Sequence, residues 1–223
     1  MSIESEEPFN FDNFLKSIRI FAFEKAAELN DVSHDRYHID RIVKNALTIS
    51  KTEEADLAIV MPAAYLHDCV NFEKNDPRRK ESSKHAADAA VDFLASIQYP
   101  EKYFKDISHA IHAHSFSANV ATQSLEAKIV QDADRLDALG VIGFARMISV
   151  STRLGRPFYQ PNDPLCRSRK PDDQKWALDH FFVKLVKVAE NLNTESAKVE
   201  GRKRLESMAV LLGDWERELH WNS

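Results

Sequence analysis

"AAYLHDCV", residues 63–70, closes a nearly unbroken apolar run that starts around residue 53, "EEADLAIVMPAAYLHD". A run this long and apolar, without strand-like alternation, reads as a helix buried on all sides. Pro62 inside it is expected to bend the helix or shorten its start. At the end of the run stand His67 and Asp68, side by side. An ionised carboxylate at the end of a buried helix is costly unless it is paired or bound to a metal.

The segments on either side are helical too. Phe14, Ile18, Phe21 and Leu29 keep a helical period after Asp12, and Ile39, Ile42, Val43, Ala46 and Leu47 form one apolar stripe over 37–50. Ser82 and Ser83 open a helix that runs through Ile97, and Pro100 opens another in "YPEKYFKDISHAIHAHS". Ser124 caps "SLEAKIVQDADRLDALG", which breaks near Gly140, and the next helix stops at Gly155. Residues 155–173, "GRPFYQPNDPLCRSRKPDD", hold four prolines and no period, the signature of a long loop of the lid or binding kind. Two more helices fill 174–192 and 195–219. The expected fold is all-α, a bundle of about eight helices.

Composition agrees. The chain has 223 residues, 43% of them apolar and 29% charged, with only five glycines. That is the profile of a globular protein able to bury a sizeable core. The formal net charge is −5 and there is no basic stripe, which argues against duplex nucleic acid as a partner. No apolar run approaches the length of a membrane span. The acidic start "MSIESEEPFN" has no leader character, and Cys69 and Cys166 form no C-x-x-C pair; both point to a cytoplasmic protein with reduced thiols.

Nine histidines are scattered through the helices, and each alone is more often a core or surface residue than a ligand. Their company gives some of them meaning. His67–Asp68 ends one apolar helix, while Asp132, Asp134 and Asp137 interrupt another. His34 and His38, in "NDVSHDRYHIDRIVKNA", are four apart with Asp35 between them, close to the H-E-x-x-H signature of zinc proteases. Imidazoles and carboxylates from separated segments suit Mn, Fe, Co, Ni or Zn better than Ca. The plainer alternative pairs Asp68 and Asp134 with arginines such as Arg41 and Arg135.

The order His38, His67–Asp68, Asp134 resembles the HD-domain superfamily of metal-dependent phosphohydrolases. "HIDRIVKNA" is similar to that family's first ligand helix, "AAYLHD" to its apolar run into the HD dipeptide, and "DADRLDALG" to its last motif. "RRKESSKHAADAAVDFL", "AIHAHSFSA" and the stretch around "ALDHFFVKL" extend the resemblance to a branch of small stand-alone HD hydrolases, over roughly residues 20 to 215. It implies a single HD-like domain over 1–223, with a motif core at about 20–150 and the helices of 174–219 packed on it. It implies one divalent transition metal, Mn favoured, held by His38, His67, Asp68 and Asp134, with His38 rather than His34 as the first ligand.

That resemblance sets the protease aside: Asp35 is too short for the glutamate's role, and "NDVSHDRYH" reads as a loop entering a helix through cap-type residues. His34 and Asp35 become second-layer or substrate contacts. Asp68 is ligand and neighbour of the attacking water. Lys74, Arg79, Lys80 and His85, between the second and third ligands, are candidates to hold phosphate, together with His112. By resemblance, His114 faces the site and orients phosphate or protonates a leaving oxygen. Asp173, His180 and Lys184 share one stripe of a helix beside the long loop. The implied substrate is a small phosphorylated compound, above all a nucleoside or deoxynucleoside triphosphate. The competing readings are a non-catalytic metal- or nucleotide-binding module and an HD-fold di-iron oxygenase that recruits His34, His85 or His109. A homodimer is compatible with the sequence.

Overall fold

The computed structural model describes residues 9–28, 34–72, 76–115 and 118–221. Among them are nine α-helices and no strand: α1 Asp12–Glu28, α2 Arg36–Glu53, α3 Leu57–Leu66, α4 Ser82–Ser96, α5 Phe104–His114, α6 Leu125–Asp137, α7 Gly140–Arg153, α8 Val186–Glu190 and α9 Glu195–Leu219. The expected all-α class and the loop over 155–173 are both present. Leu29, the last residue of the first apolar stripe, lies outside the described residues.

Helix α3 is the centre. Eight of its ten residues are buried, and it packs against α1, α2, α5 and α6. This explains its lack of any polar face. It is shorter than the apolar run suggests, because α2 continues to Glu53 and stops at a left-handed Glu54. Asp56 then caps α3 by accepting from Ala58 N at 2.8 Å. Pro62 sits inside the helix and has no N–H to offer the carbonyl of Ala58, four residues earlier. The Tyr99 hydroxyl takes that place, donating to Ala58 O at 2.5 Å. Fully buried Ile42, Leu66, Ile107, Ile111 and Ile129 bring α2, α3, α5 and α6 into one core.

The C-terminal part departs from the expected pair of helices. Residues 174–180 are mostly turns, followed by a π-helical turn, Phe181–Leu185, that runs into the short α8. Asp173 therefore precedes the helical region and does not lie on a helix stripe with His180 and Lys184. The long loop is pinned down. Buried Asp179 accepts from Arg169 Nη1 at 2.5 Å, Arg169 Nη2 at 2.6 Å and Asp172 N at 2.6 Å. The loop's start is tied by Ala177 N and Leu178 N, which donate to Pro157 O and Phe158 O at 2.9 and 2.8 Å.

The three aspartates of α6 have three different surroundings. Asp132 is fully buried and accepts from Thr194 N and Thr194 Oγ1, both at 2.8 Å, which anchors the start of α9. Asp137 turns toward α2, and Asp134 toward a pocket. No described helix is long and apolar enough to cross a membrane.

Candidate metal centre and anion pocket

His38 enters the site from the first turn of α2. Asp35 is the cap of that helix and accepts from His38 N at 2.9 Å, so the carboxylate placed beside the histidines sits on the helix end. His67 follows the last residue of α3, and Asp68 comes next. His114 is the last residue of α5, and because the helix ends there its ring turns inward and is buried. Asp134 comes from the last turn of α6.

These side chains converge. The ligand atoms of His38, His67 and Asp134 lie within 4.8 Å of one another, and so do those of His67, Asp68 and His114. His38 Nε2 is 3.9 Å from Asp134 Oδ1, and His67 Nε2 is 3.5 Å from Asp68 Oδ2. His114 Nε2 is 3.6 Å from Asp68 Oδ1, and His34 Nε2 is 3.9 Å from Asp68 Oδ2. Asp134 and Asp68 thus face imidazoles, while Arg41 goes elsewhere: its Nε donates to Asp137 Oδ1 at 2.6 Å.

Two observations fit a metal ion. His38 and His67 are fully buried, yet their Nε2 atoms have no hydrogen-bond partner. Orphaned polar atoms in an interior are costly and uncommon. Their other nitrogens are engaged: His67 Nδ1 bonds Ala64 O at 2.9 Å, and His38 Nδ1 bonds Asp137 Oδ2 at 2.8 Å. A carbonyl accepts only, so His67 carries its proton on Nδ1 and presents an Nε2 lone pair. The donor set of neutral imidazoles and carboxylates is that of a transition-metal site.

Electrostatics keep the ligands in their binding forms. Burial pushes the His67 pKa down to about 4. It also lowers His38, against the pull of Asp137. Burial alone would raise Asp68, but His67, His114 and His34 outweigh it and hold the carboxyl well below its usual range. For His114 burial works downward, and the hydrogen bond and charge of Asp68 reverse it, leaving a raised pKa.

His34, Asp68, His114 and Asp134 of this cluster line a cavity of about 380 Å³ together with Arg79, Arg146, Arg156, His180 and Lys184; His38 and His67 are not among its lining residues. Four cationic side chains and three imidazoles against two carboxylates make this an anion pocket. Arg79 is oriented by Asn71 Oδ1 and by Phe72 O at 2.6 Å. His180 Nδ1 pairs with Asp173 Oδ2 at 2.8 Å. The apolar part of the wall is Met147, Val150 and Leu185.

Of the sequence candidates, His34, Asp68, Arg79, His114, Asp134, His180 and Lys184 line this cavity. Lys80 and His85 are exposed, with His85 Nε2 3.7 Å from Glu81. His112 lies outside the lining residues, and Lys74 falls outside the described residues. Sequence reasoning does not reach Arg146 and Arg156. Arg146 lies outside the quoted motifs, and Arg156 sits in the long loop marked as a lid or binding segment, where nothing singles out that arginine. Asp137 stands out in the sequence as an oddity but not as a partner of His38; its position three residues after Asp134 on an apolar helix is the available signal. Cys69 is inert: burial pushes its thiol to about 12.

The HD-domain family profile matches residues 36–139, which span α2 through α6 and contain all four ligand candidates. YpgQ of Bacillus subtilis (strain 168) is 30% identical over 190 residues, covering 83% of this chain and 84% of YpgQ. A crystal structure of YpgQ in complex with ADP superposes with a TM-score of 0.72 at 29% identity, over 92% of this chain and 98% of that one. An HD-superfamily hydrolase from Bacillus thuringiensis gives a TM-score of 0.72 at 31% identity, over 96% of this chain and all of the other. Similar along nearly its whole length to proteins of the same fold and size, the chain belongs to the HD-domain family.

Proposed function

We propose that this protein is a metal-dependent phosphohydrolase that cleaves a phosphate ester or anhydride of a nucleotide, with nucleoside and deoxynucleoside triphosphates as the favoured substrates. The observation that carries the reading is the meeting of two orphaned imidazole nitrogens with two carboxylates that line a cationic cavity. His38, His67, Asp68 and Asp134 would hold one divalent transition ion, Mn²⁺ favoured. Bound there, such an ion supplies a nucleophilic water near neutral pH and screens phosphoryl charge.

The chain's own groups do the rest. Asp68, held ionised, would serve as the acceptor for the proton of the attacking water. His114, against Asp68 and with a raised pKa, is a proton donor to phosphoryl or leaving oxygen. Arg79, Arg146, Arg156 and Lys184 bind the remaining phosphate oxygens, and so many cations suit a polyphosphate better than a single ester. Met147, Val150 and Leu185 offer an apolar wall to a base or sugar. The ADP bound to YpgQ supports a nucleotide. An oxygenase centre would recruit His34, His85 or His109; only His34 lines the cavity, while His109 Nε2 accepts from Gln123 N at 3.0 Å.

The test is product release from a panel of nucleotides with Mn²⁺, resolving phosphate from pyrophosphate, for wild type, Asp68→Ala and Asp134→Ala. The expected result is turnover by wild type and its loss in both folded variants. A wild type silent with Mn²⁺, Co²⁺ and Ni²⁺, or variants that match it, would overturn the reading.

A further inference from the structure

His38 is the one ligand candidate whose second nitrogen meets a charge. Its Nδ1 lies 2.8 Å from Asp137 Oδ2, whereas the rings of His67 and His114 bond the carbonyls of Ala64 and Ile111. The Asp137 carboxylate is only 2% exposed and is surrounded by donors. Oδ1 accepts from Arg41 Nε at 2.6 Å, and Oδ2 accepts from Arg41 Nη2 at 3.1 Å and Arg146 Nη1 at 2.6 Å. Two guanidiniums, which can never accept, keep this carboxylate ionised and therefore an acceptor only. The imidazole must therefore carry a proton on Nδ1, and in the neutral ring Nε2 then presents its lone pair, 3.9 Å from Asp134 Oδ1. Free imidazole side chains in water favour the opposite tautomer, with the proton on Nε2.

We propose that Asp137 is a positioning residue for the metal: it fixes the tautomer and ring orientation of His38 and raises the basicity of its free nitrogen. A carboxylate behind a histidine ligand acts in this way, and its loss typically weakens metal binding by about 10- to 100-fold. The role rests on the metal half of the reading above and is independent of which nucleotide, if any, is cleaved.

The competing account makes Asp137 a purely structural ion-pair partner for Arg41 and Arg146. Three proteins separate the two: wild type, Asp137→Asn and Arg41→Met. The first substitution keeps the shape of the side chain but removes its charge. Arg41→Met breaks the ion pair but leaves Asp137 with His38 and Arg146. The readouts are Mn²⁺ affinity by calorimetry and the His38 tautomer by ¹⁵N NMR of metal-free wild type. The expected results are a Kd for Mn²⁺ raised about 10- to 100-fold in Asp137→Asn, a Kd within a few-fold of wild type in Arg41→Met, and a proton on Nδ1 of His38. Equal weakening in both variants, or none in Asp137→Asn, would overturn the role. So would an Nε2–H tautomer in wild type, a measurement that stands even if Asp137→Asn does not fold. Tight, Asp137-dependent Mn²⁺ binding without nucleotide turnover would defeat the hydrolase reading and leave this one intact.

Discussion

His67 is the residue on which the site's energetics turn. It is neutral, fully buried and without a partner for Nε2, so protonation requires exposing it or breaking the cluster. Its folded pKa is near 4 against 6.5 for the free side chain. Between those values the unfolded chain binds more protons, so metal-free stability falls as pH drops through that window, by about 3 kcal/mol from this residue. His114 acts in the opposite sense. Its folded pKa is raised, so its contribution is present below about 6.5 and is lost as pH rises through the folded value. The cluster therefore predicts a stability maximum near pH 6.5 for metal-stripped protein, measurable as the urea midpoint against pH. A midpoint that stays level between about pH 4 and 6.5 would contradict the buried neutral state of His67. The ligand candidates are legible in the sequence because polar residues in apolar helices are anomalous on their face. Arg146 and the role of Asp137 are not, since nothing in a linear chain says which of many charges will meet across 96 residues, as Arg41 and Asp137 do.

Elements hold these residues in place through a few specific bonds. The proline of α3 is tolerated because Tyr99 satisfies the carbonyl that Pro62 abandons. Tyr99→Phe is expected to lower stability by about 1–3 kcal/mol, the cost of one unsatisfied buried acceptor, readable by chemical denaturation. At the α6–α7 junction, a Cβ on Gly143 would lie 2.2 Å from the carbonyl oxygen of Ala138. That neighbour is backbone and cannot swing aside, so Gly143→Ala should cost about 1–3 kcal/mol and disturb the wall that carries Arg146. The buried Asp179–Arg169 pair pins the long loop next to His180 and Arg156. Asp179→Ala is expected to reduce kcat/KM by roughly 10- to 100-fold while Mn²⁺ affinity stays as in wild type. Equal loss of metal affinity would place the loop's role at the metal end instead. Helix positions follow from apolar periodicity, and α2, α4, α6, α7 and α9 lie where it places them, while α5 begins at Phe104, after a 3-10 turn over Glu101–Tyr103, rather than at Pro100. The start of the 174–192 segment does not, because Ala177 N and Leu178 N donate to the loop carbonyls of Pro157 and Phe158 instead of along a helix, a tertiary pairing that periodicity cannot register.

At the scale of the whole molecule, the ligand candidates come from α2, the C-terminal end of α3, and α6, three helices of the core. An ion that binds them links those helices only in the folded state, so it should stabilise the entire cooperative unit. Mn²⁺ at about 100 times its Kd would add about 2.7 kcal/mol, a rise in Tm of about 5–10 °C for a chain of this size. His67→Ala should abolish the rise. The overall architecture is legible because the ordered histidines and aspartates sit in contexts that resemble one family over most of the chain, and the fold then follows. The central claim is that His38, His67, Asp68 and Asp134 hold one ion. Anomalous diffraction from crystals grown with Mn²⁺ tests it most directly. The account predicts a single strong peak within bonding distance of His38 Nε2, His67 Nε2 and a carboxylate oxygen each of Asp68 and Asp134. A peak elsewhere, or a cluster that stays empty at saturating Mn²⁺, would contradict it.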